Sequence, residues 1–193
     1  MRGGDLGYMG DMQTRGFTLF DTAIGCCAVA WGDAGLTGVF LPEADRARTQ
    51  ARLERRHPDA VPMEPPDRVR AAIAGMTALL DGEPVDLTGV ELDMQDGPDF
   101  FRRAWALARA IPPGQTVTYG ELARRLGEPG AARAVGEAMG KNPFPIVVPC
   151  HRVVAAGGRT GGFSAPGGAA TKLRMLKIEG ALSTNTLPLF GGG

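Results

Sequence analysis

The sequence predicts a two-part protein: an α/β N-terminal domain built on a small antiparallel sheet with helices, followed by a mainly helical C-terminal domain. Three observations lead there. Apolar, strand-like runs at 17–22, 26–31 and 37–41 are broken by Gly25, Gly32 and Gly35, the pattern of a meander. After residue 99 apolar residues recur at helical spacing instead. Between the two patterns, residues 81–97 are rich in Pro, Gly and Asp, and the charge balance changes sign just beyond them.

In the first part, residues 43–56 are rich in Ala, Arg, Leu and Glu and read as a helix that His57-Pro58 ends, since proline disfavours helical geometry at the residue before it. A second helix is expected over 67–80 and a further strand near 90–94. In the second part, Pro98 suits a helix first turn, and Phe100, Phe101, Ala104, Trp105, Ala108 and Ile111 give a helix over about 99–110 that Pro112-Pro113-Gly114 stops. Thr118 caps a short helix carrying Leu122, Ala123 and Leu126 on one side; Gly127 to Gly130 breaks it, and residues 131–139 form the next. A last helix runs over 171–178. The domains are accordingly placed at 1–95 and 96–182, with 183–193 as a tail.

The chain has 193 residues, of which 44% are hydrophobic and 22% charged, values that exclude disordered and fibrous classes. No apolar run is long enough for a membrane span and residues 1–12 do not look like a secretory signal, so a cytoplasmic protein with no membrane partner is expected. The three cysteines, Cys26, Cys27 and Cys150, form no CxxC pair, in keeping with a reducing compartment. No metal is expected: only His57 joins Cys26 and Cys27 in the first part, and adjacent cysteines in a strand point to opposite faces. No cofactor is expected either. Residues 1–100 hold 9 Arg against 17 Asp and Glu, net −8, and the remainder holds 12 Lys and Arg against 4 acids, net +8. The second part is therefore the candidate surface for an anion, although uneven solvated charge would look the same.

Two short helices joined by a Gly-containing turn make a helix-turn-helix candidate, a pattern that ordinary helical hairpins share. In the second of them Ala131, Ala132, Ala134, Gly136 and Ala138 leave bulk only at Arg133, Val135, Glu137 and Met139. Something approaches its backbone closely, either a packed neighbour or a groove of DNA.

The most informative stretch is 142–154, Asn-Pro-Phe-Pro-Ile-Val-Val-Pro-Cys-His-Arg-Val-Val. Its prolines and β-branched run predict an extended path that holds Cys150 still. His151 follows at once, and Lys172, Arg174 and Lys177 form an electropositive setting expected to lower the thiol pKa. A base needs an orienting carboxylate. Of the four acids after residue 100, Glu121, Glu128 and Glu137 fall on helices, and Glu179 is left to point back at His151 or to end its helix in solvent.

The segment Val148-Pro-Cys-His-Arg-Val153, with Asn142 upstream and Ile178-Glu-Gly180 downstream, resembles the signature of the O6-alkylguanine-DNA alkyltransferases. The likeness is strongest over about 99–180. It implies a ribonuclease H-like N-terminal domain and a winged helix-turn-helix C-terminal domain. It also implies a stoichiometric DNA repair enzyme that moves an alkyl group from O6 of guanine, with O4-alkylthymine left open, onto its own cysteine. Carried over by position, Cys150 is the acceptor, His151 its base through a bound water, Glu179 the partner of His151, and Asn142 the brace of the active-site turn. Tyr119 crowds a DNA phosphate and meets the flipped base, and Arg133 fills the vacated place in the stack. Ala131, Ala132, Ala134 and Gly136 lie in the minor groove. Met139, Val153, Gly161, Phe163, Ser164 and Lys172 are the implied substrate contacts, with residues 157–164 closing over the base. The implied partner is double-stranded DNA carrying O6-alkylguanine, bound by a monomer, with cooperativity on DNA left open.

The chemistry fits the resemblance without depending on it. An atom hidden in the duplex is reached only by extruding its nucleotide, for which a cationic wedge is useful. A thioether product has no bond that water readily cleaves, which limits the protein to one turnover. Three rivals fit less well. A non-repairing binding module has no use for Cys150, a major-groove regulator needs polar side chains of which this helix offers few, and a cysteine hydrolase gives Arg133 and Tyr119 nothing to do.

Overall fold

The computed structural model describes residues 15–95, 97–158 and 166–181. The chain opens with β1 (Gly16–Thr22), β2 (Gly25–Gly32) and β3 (Gly35–Phe40), an antiparallel meander with a bulge between Ala30 and Trp31. Helix α1 (Arg46–Arg56) starts later than residue 43, because Asp45 caps it by accepting from the Arg48 N–H at 2.8 Å. His57 ends it, as expected. Next come β4 (Val61–Pro62) and α2 (Asp67–Leu80).

Strand β4 corrects the expectation of a purely antiparallel sheet. The order is β3-β2-β1-β4, and β4 runs parallel to β1, because α1 crosses over the sheet before the chain returns to its far edge. Two residues, one of them proline, carry no periodicity from which a strand could be read. The strand expected near 90–94 is corrected as well: it shortens to a single parallel bridge, Leu36 to Leu92, held by Leu36 N–H to Glu91 O at 2.9 Å and Asp93 N–H to Leu36 O at 2.8 Å.

Strand β2 is covered on both faces, which accounts for its continuous apolar run. Ala28 and Ala30 pack with Phe17, Phe40 and Leu53 of α1, whereas Cys27, Val29 and Trp31 face a larger core with Met76 and Leu79 of α2. That larger core continues past residue 95 through Trp105, Ile111, Leu122, Val135 and Val148 to Cys150.

Past residue 98 the elements are α3 (Asp99–Arg109), β5 (Val117–Thr118), α4 (Tyr119–Arg125), α5 (Ala132–Gly140), a single 3₁₀ turn (Cys150–Arg152), β6 (Val153–Val154) and α6 (Gly168–Ile178). A second short 3₁₀ turn covers Ala156–Gly158. Thr118 caps α4 by accepting from the Glu121 N–H at 3.1 Å. The buried Trp105 Nε1–H donates to Ala138 O at 2.8 Å, locking α3 to α5. Strands β5 and β6 pair in parallel, Val117 with Val153 and Thr118 with Val154, which sets the start of α4 beside the segment that carries Cys150. Among the described residues no helix is long and apolar enough to cross a membrane.

The turn into β3 is sterically exacting. Gly35 has φ +134°, and a Cβ there would lie 2.5 Å from Glu91 O. Gly35→Ala should therefore destabilise the protein by more than about 1 kcal/mol, read as a lower denaturant midpoint with an unchanged m-value. A midpoint equal to that of the parent would show that the Leu36 bridge yields freely.

Candidate active site

The residues before Cys150 do not run extended, which corrects the sequence expectation. Prolines at 143, 145 and 149 remove backbone donors, so the segment cannot join a sheet, and Asn142 supplies the missing partners. Its Oδ1 accepts from the Phe144 N–H at 2.9 Å, and its Nδ2 donates to Val148 O at 2.8 Å. Within that clamp the Val148 N–H reaches Phe144 O at 2.8 Å. Ile146 is held at φ +76°, the one non-glycine residue among those described with a positive φ. For a β-branched side chain such a conformation is strained by about 1–3 kcal/mol, and burial of Phe144, Ile146, Val147 and Val148 holds it in place.

The 3₁₀ turn that follows buries three consecutive side chains, Cys150, His151 and Arg152. Glu179, the C-cap of α6, receives two of them, so its alternative as a solvated helix end is overturned: its side chain is 2% exposed. His151 Nε2 lies 2.9 Å from Glu179 Oε1, and Arg152 makes a forked pair, Nε to Oε2 and Nη2 to Oε1, both 2.8 Å. Arg152 also donates to Ile111 O at the end of α3. Burial pushes the Glu179 carboxyl up, but hydrogen bonds from His151 and Arg152 and the Arg152 charge outweigh it and hold the pKa at about 2. An ionised carboxylate only accepts, so His151 Nε2 carries the proton and Nδ1 the lone pair. Burial lowers the His151 pKa and keeps the ring neutral. Nδ1 is buried with no partner among the described residues, a basic nitrogen available for a proton.

Burial also dominates at Cys150 and pushes its thiol pKa up, against the expected lowering. The Asn142 side chain, the Lys172 charge and the backbone amides of Cys150 and His151 pull the other way without prevailing. Of the three cations expected around the thiol, Lys172 acts on it. Arg174 instead reaches the carbonyls of Ala23 and Ile24, and Lys177 is exposed. Lys172 is fully buried, donates to Val153 O at 2.7 Å and lies 5.7 Å from the centre of the Tyr119 ring. Its own pKa is lowered by burial to about 8.

Cys150, Met139, Asn142 and Pro145 line a cleft of about 890 Å³ whose opposite wall is β3 and the end of α1. Val153 is wholly buried and offers its already occupied carbonyl, and Tyr119 is part-buried beside Lys172. On α5, Val135, Ala138 and Met139 face the core, Arg133 is exposed, and Ala131, Ala132, Ala134 and Gly136 are part-exposed. Tight packing accounts for Ala138 but not for Gly136, where an added Cβ would meet nothing within 4 Å. Gly161, Phe163 and Ser164, most of the loop at 157–164 and the tail at 183–193 lie outside the described residues. Among the described residues no group of His, Cys, Asp and Glu could hold a metal ion.

Sequence reasoning missed two things. It gave Arg152 no role, although one acid serving two adjacent cations was foreshadowed by the scarcity of carboxylates in the second part. It also missed that the first part supplies one wall of the cleft.

The family model for the DNA-binding domain of 6-O-methylguanine DNA methyltransferase matches residues 99–181. Over 127 residues the chain is 43% identical to a methylated-DNA--protein-cysteine methyltransferase of Mycolicibacterium paratuberculosis, covering 66% of this chain and 74% of that relative. Its fold is similar to that of Mycobacterium tuberculosis OGT in complex with DNA, with TM-score 0.68, 35% identity, and 86% and 93% of the two chains covered. It also resembles the O6-methylguanine-DNA methyltransferase of the archaeon Pyrococcus kodakaraensis, with TM-score 0.66, 26% identity, and 86% and 99% covered.

The shared carboxylate gives stability a defined pH dependence. The Glu179 pKa lies below its unfolded value, so its contribution is complete above about pH 4.5 and is lost as pH falls towards about 2. Glu179→Gln should lower stability at neutral pH, and its deficit should shrink across that window when both proteins are unfolded with denaturant at a series of pH values. A deficit that stays constant down to pH 2 would rule out the ionised carboxylate as its source.

Proposed function

Because this chain belongs to the methylated-DNA--protein-cysteine methyltransferase family, we propose that Cys150 is the cysteine that receives the alkyl group and that the lesion is O6-alkylguanine in double-stranded DNA. The activity of the family is direct DNA repair by alkyl transfer to cysteine. The observation that carries the assignment of roles is the orientation of His151. A carboxylate that can only accept fixes the imidazole with its basic nitrogen unengaged, next in sequence to a thiol that burial keeps protonated.

In the proposed reaction, the Cys150 proton passes to His151, through water where direct reach fails, and Sγ attacks the alkyl carbon. The S–C bond forms as the C–O6 bond breaks, and the electron pair leaves with guanine. The Lys172 charge favours the thiolate, and a hydroxyl donor at Tyr119 would stabilise charge developing on the departing base. The thioether resists hydrolysis, so each molecule acts once. Asn142 fixes where Sγ points.

The same proposal covers the finer architecture: a ribonuclease H-like layout for residues 1–95 and a winged helix-turn-helix in 96–182, with α4 and α5 as its two helices. The bare side of α5 suits a minor groove, where Ala132 and Gly136 admit the backbone and exposed Arg133 takes the place of the extruded nucleotide. The protein is taken to act as a monomer in the cytoplasm.

Intact-protein mass spectrometry with peptide mapping, after mixing with a slight excess of duplex containing one O6-methylguanine, should show one added methyl on Cys150 and no second turnover. Tight DNA binding with no mass change would replace this reading with a non-repairing lesion binder. Arg133→Ala should slow repair in duplex by about tenfold or more, equivalent to at least 1.4 kcal/mol of transition-state stabilisation, while reaction with free O6-benzylguanine is retained. Equal losses on both substrates would remove the wedge role.

A further inference from the structure

The cleft at Cys150 has a basic wall that no step of the alkyl transfer uses. Arg52, Arg55 and Arg56 of α1 line it, and Lys141 stands at the end of α5; no carboxylate lines it among the described residues. Arg52 is engaged by Glu43 at 2.7 Å and Lys141 by Glu137 at 2.7 Å, whereas Arg55 and Arg56 are exposed and join no ion pair among the described residues. The wall is held in place. His57, directly after them, sets its ring edge-on to Phe40 at 5.7 Å and is packed so closely over Gly38 that a Cβ there would lie 2.7 Å from Nε2.

We infer that the end of α1, through Arg55 and Arg56, binds the phosphate backbone of the DNA strand that carries the lesion, so that the acidic N-terminal half shares directly in DNA binding. The inference rests on the proposed function. A nucleotide extruded to Cys150 stays joined to its strand on both sides, so its flanking phosphates cross the rim of the cleft. Gly140, one helical turn beyond Gly136, lines the cleft too, so the bare side of α5 leads straight to it. A strand following that side meets the arginines as it leaves. Basic residues in a last helical turn also suit the helix dipole, which accounts for their type but not for their facing the cleft.

The test measures binding of a duplex carrying one O6-methylguanine to the full-length protein with Cys150→Ser, which blocks transfer, across a range of salt concentrations. Each phosphate contact contributes about 0.9 to the slope of log K against log salt, so adding Arg55→Ala and Arg56→Ala should make it shallower by about 2. Arg55→Lys with Arg56→Lys should restore the slope, and Arg70→Ala, on α2 away from the cleft, should leave it unchanged. A slope that the double alanine variant does not change overturns the inference, as does an equal change from Arg70→Ala. If alanine weakens binding only in proportion to lowered thermal stability, with the slope intact, the arginines serve the helix end alone and the inference also fails. Failure of the parent protein to gain a methyl, with the slope still shifted, would count against the alkyl transfer and not against the phosphate contact.

Discussion

The Glu179 carboxylate is the point on which the site hangs. It closes α6, accepts from His151 and forks to Arg152, and Arg152 continues to Ile111 O at the end of α3. Three segments distant in sequence are thus tied by groups that are all buried. A buried ion pair returns little net stability, because desolvation offsets most of the attraction, and a hydrophobic cluster of the same volume could hold these segments as well. What the cluster could not do is fix a tautomer. The cost of burying the charges is repaid in orientation: Arg152 completes the neutralisation of Glu179, so the acid stays ionised in an apolar setting, and its ionisation dictates which nitrogen of His151 bears the proton.

Elements whose signal is local were legible in the sequence. Short apolar runs broken by glycines gave β1 to β3, helical spacing gave α3, and Thr118 announced the start of α4. The failures have a common physical cause, which is that the deciding interaction lay elsewhere in the chain. Nothing near Val61 and Pro62 says that they will pair with β1, since that depends on α1 crossing the sheet. Residues 143–149 have the composition of a strand, but their prolines and the Asn142 clamp fold them into turns. The Cys150 thiol was misjudged for the same reason. Counting neighbouring cations in sequence assumed that they reach it, whereas Arg174 is drawn to the turn between β1 and β2, and enclosure by the core, invisible to local reading, governs the proton.

Smallness in α5 shows how structure separates readings that sequence leaves tied. Ala138 is small because α3 lies against it and Trp105 donates to its carbonyl. Gly136 has open space where a side chain would go. Glycine inside an exposed helix costs about 1 kcal/mol relative to alanine, and packing within the described residues does not account for it here. The two halves of the chain meet in this arrangement: the core continuous from Met76 to Val148 reaches α5 and one face of β2, and the other face of β2 carries α1.

A raised thiol pKa looks at first like a defect in a nucleophile. For a protein consumed by one reaction it is consistent with the task. A permanently ionised, accessible thiolate is open to oxidation and to stray electrophiles, and each such event would waste a molecule. Burial keeps Cys150 protonated and enclosed, so in the proposed reaction the thiolate arises only as its proton passes to His151. The nucleophile gains in the same stroke, because intrinsic thiolate reactivity rises with pKa. Displacement at an unactivated alkyl carbon demands a strong nucleophile more than an abundant one. The apolar enclosure that delays ionisation therefore also supplies reactivity, provided that a neutral, correctly oriented imidazole stands ready, and that condition returns the argument to the carboxylate of Glu179.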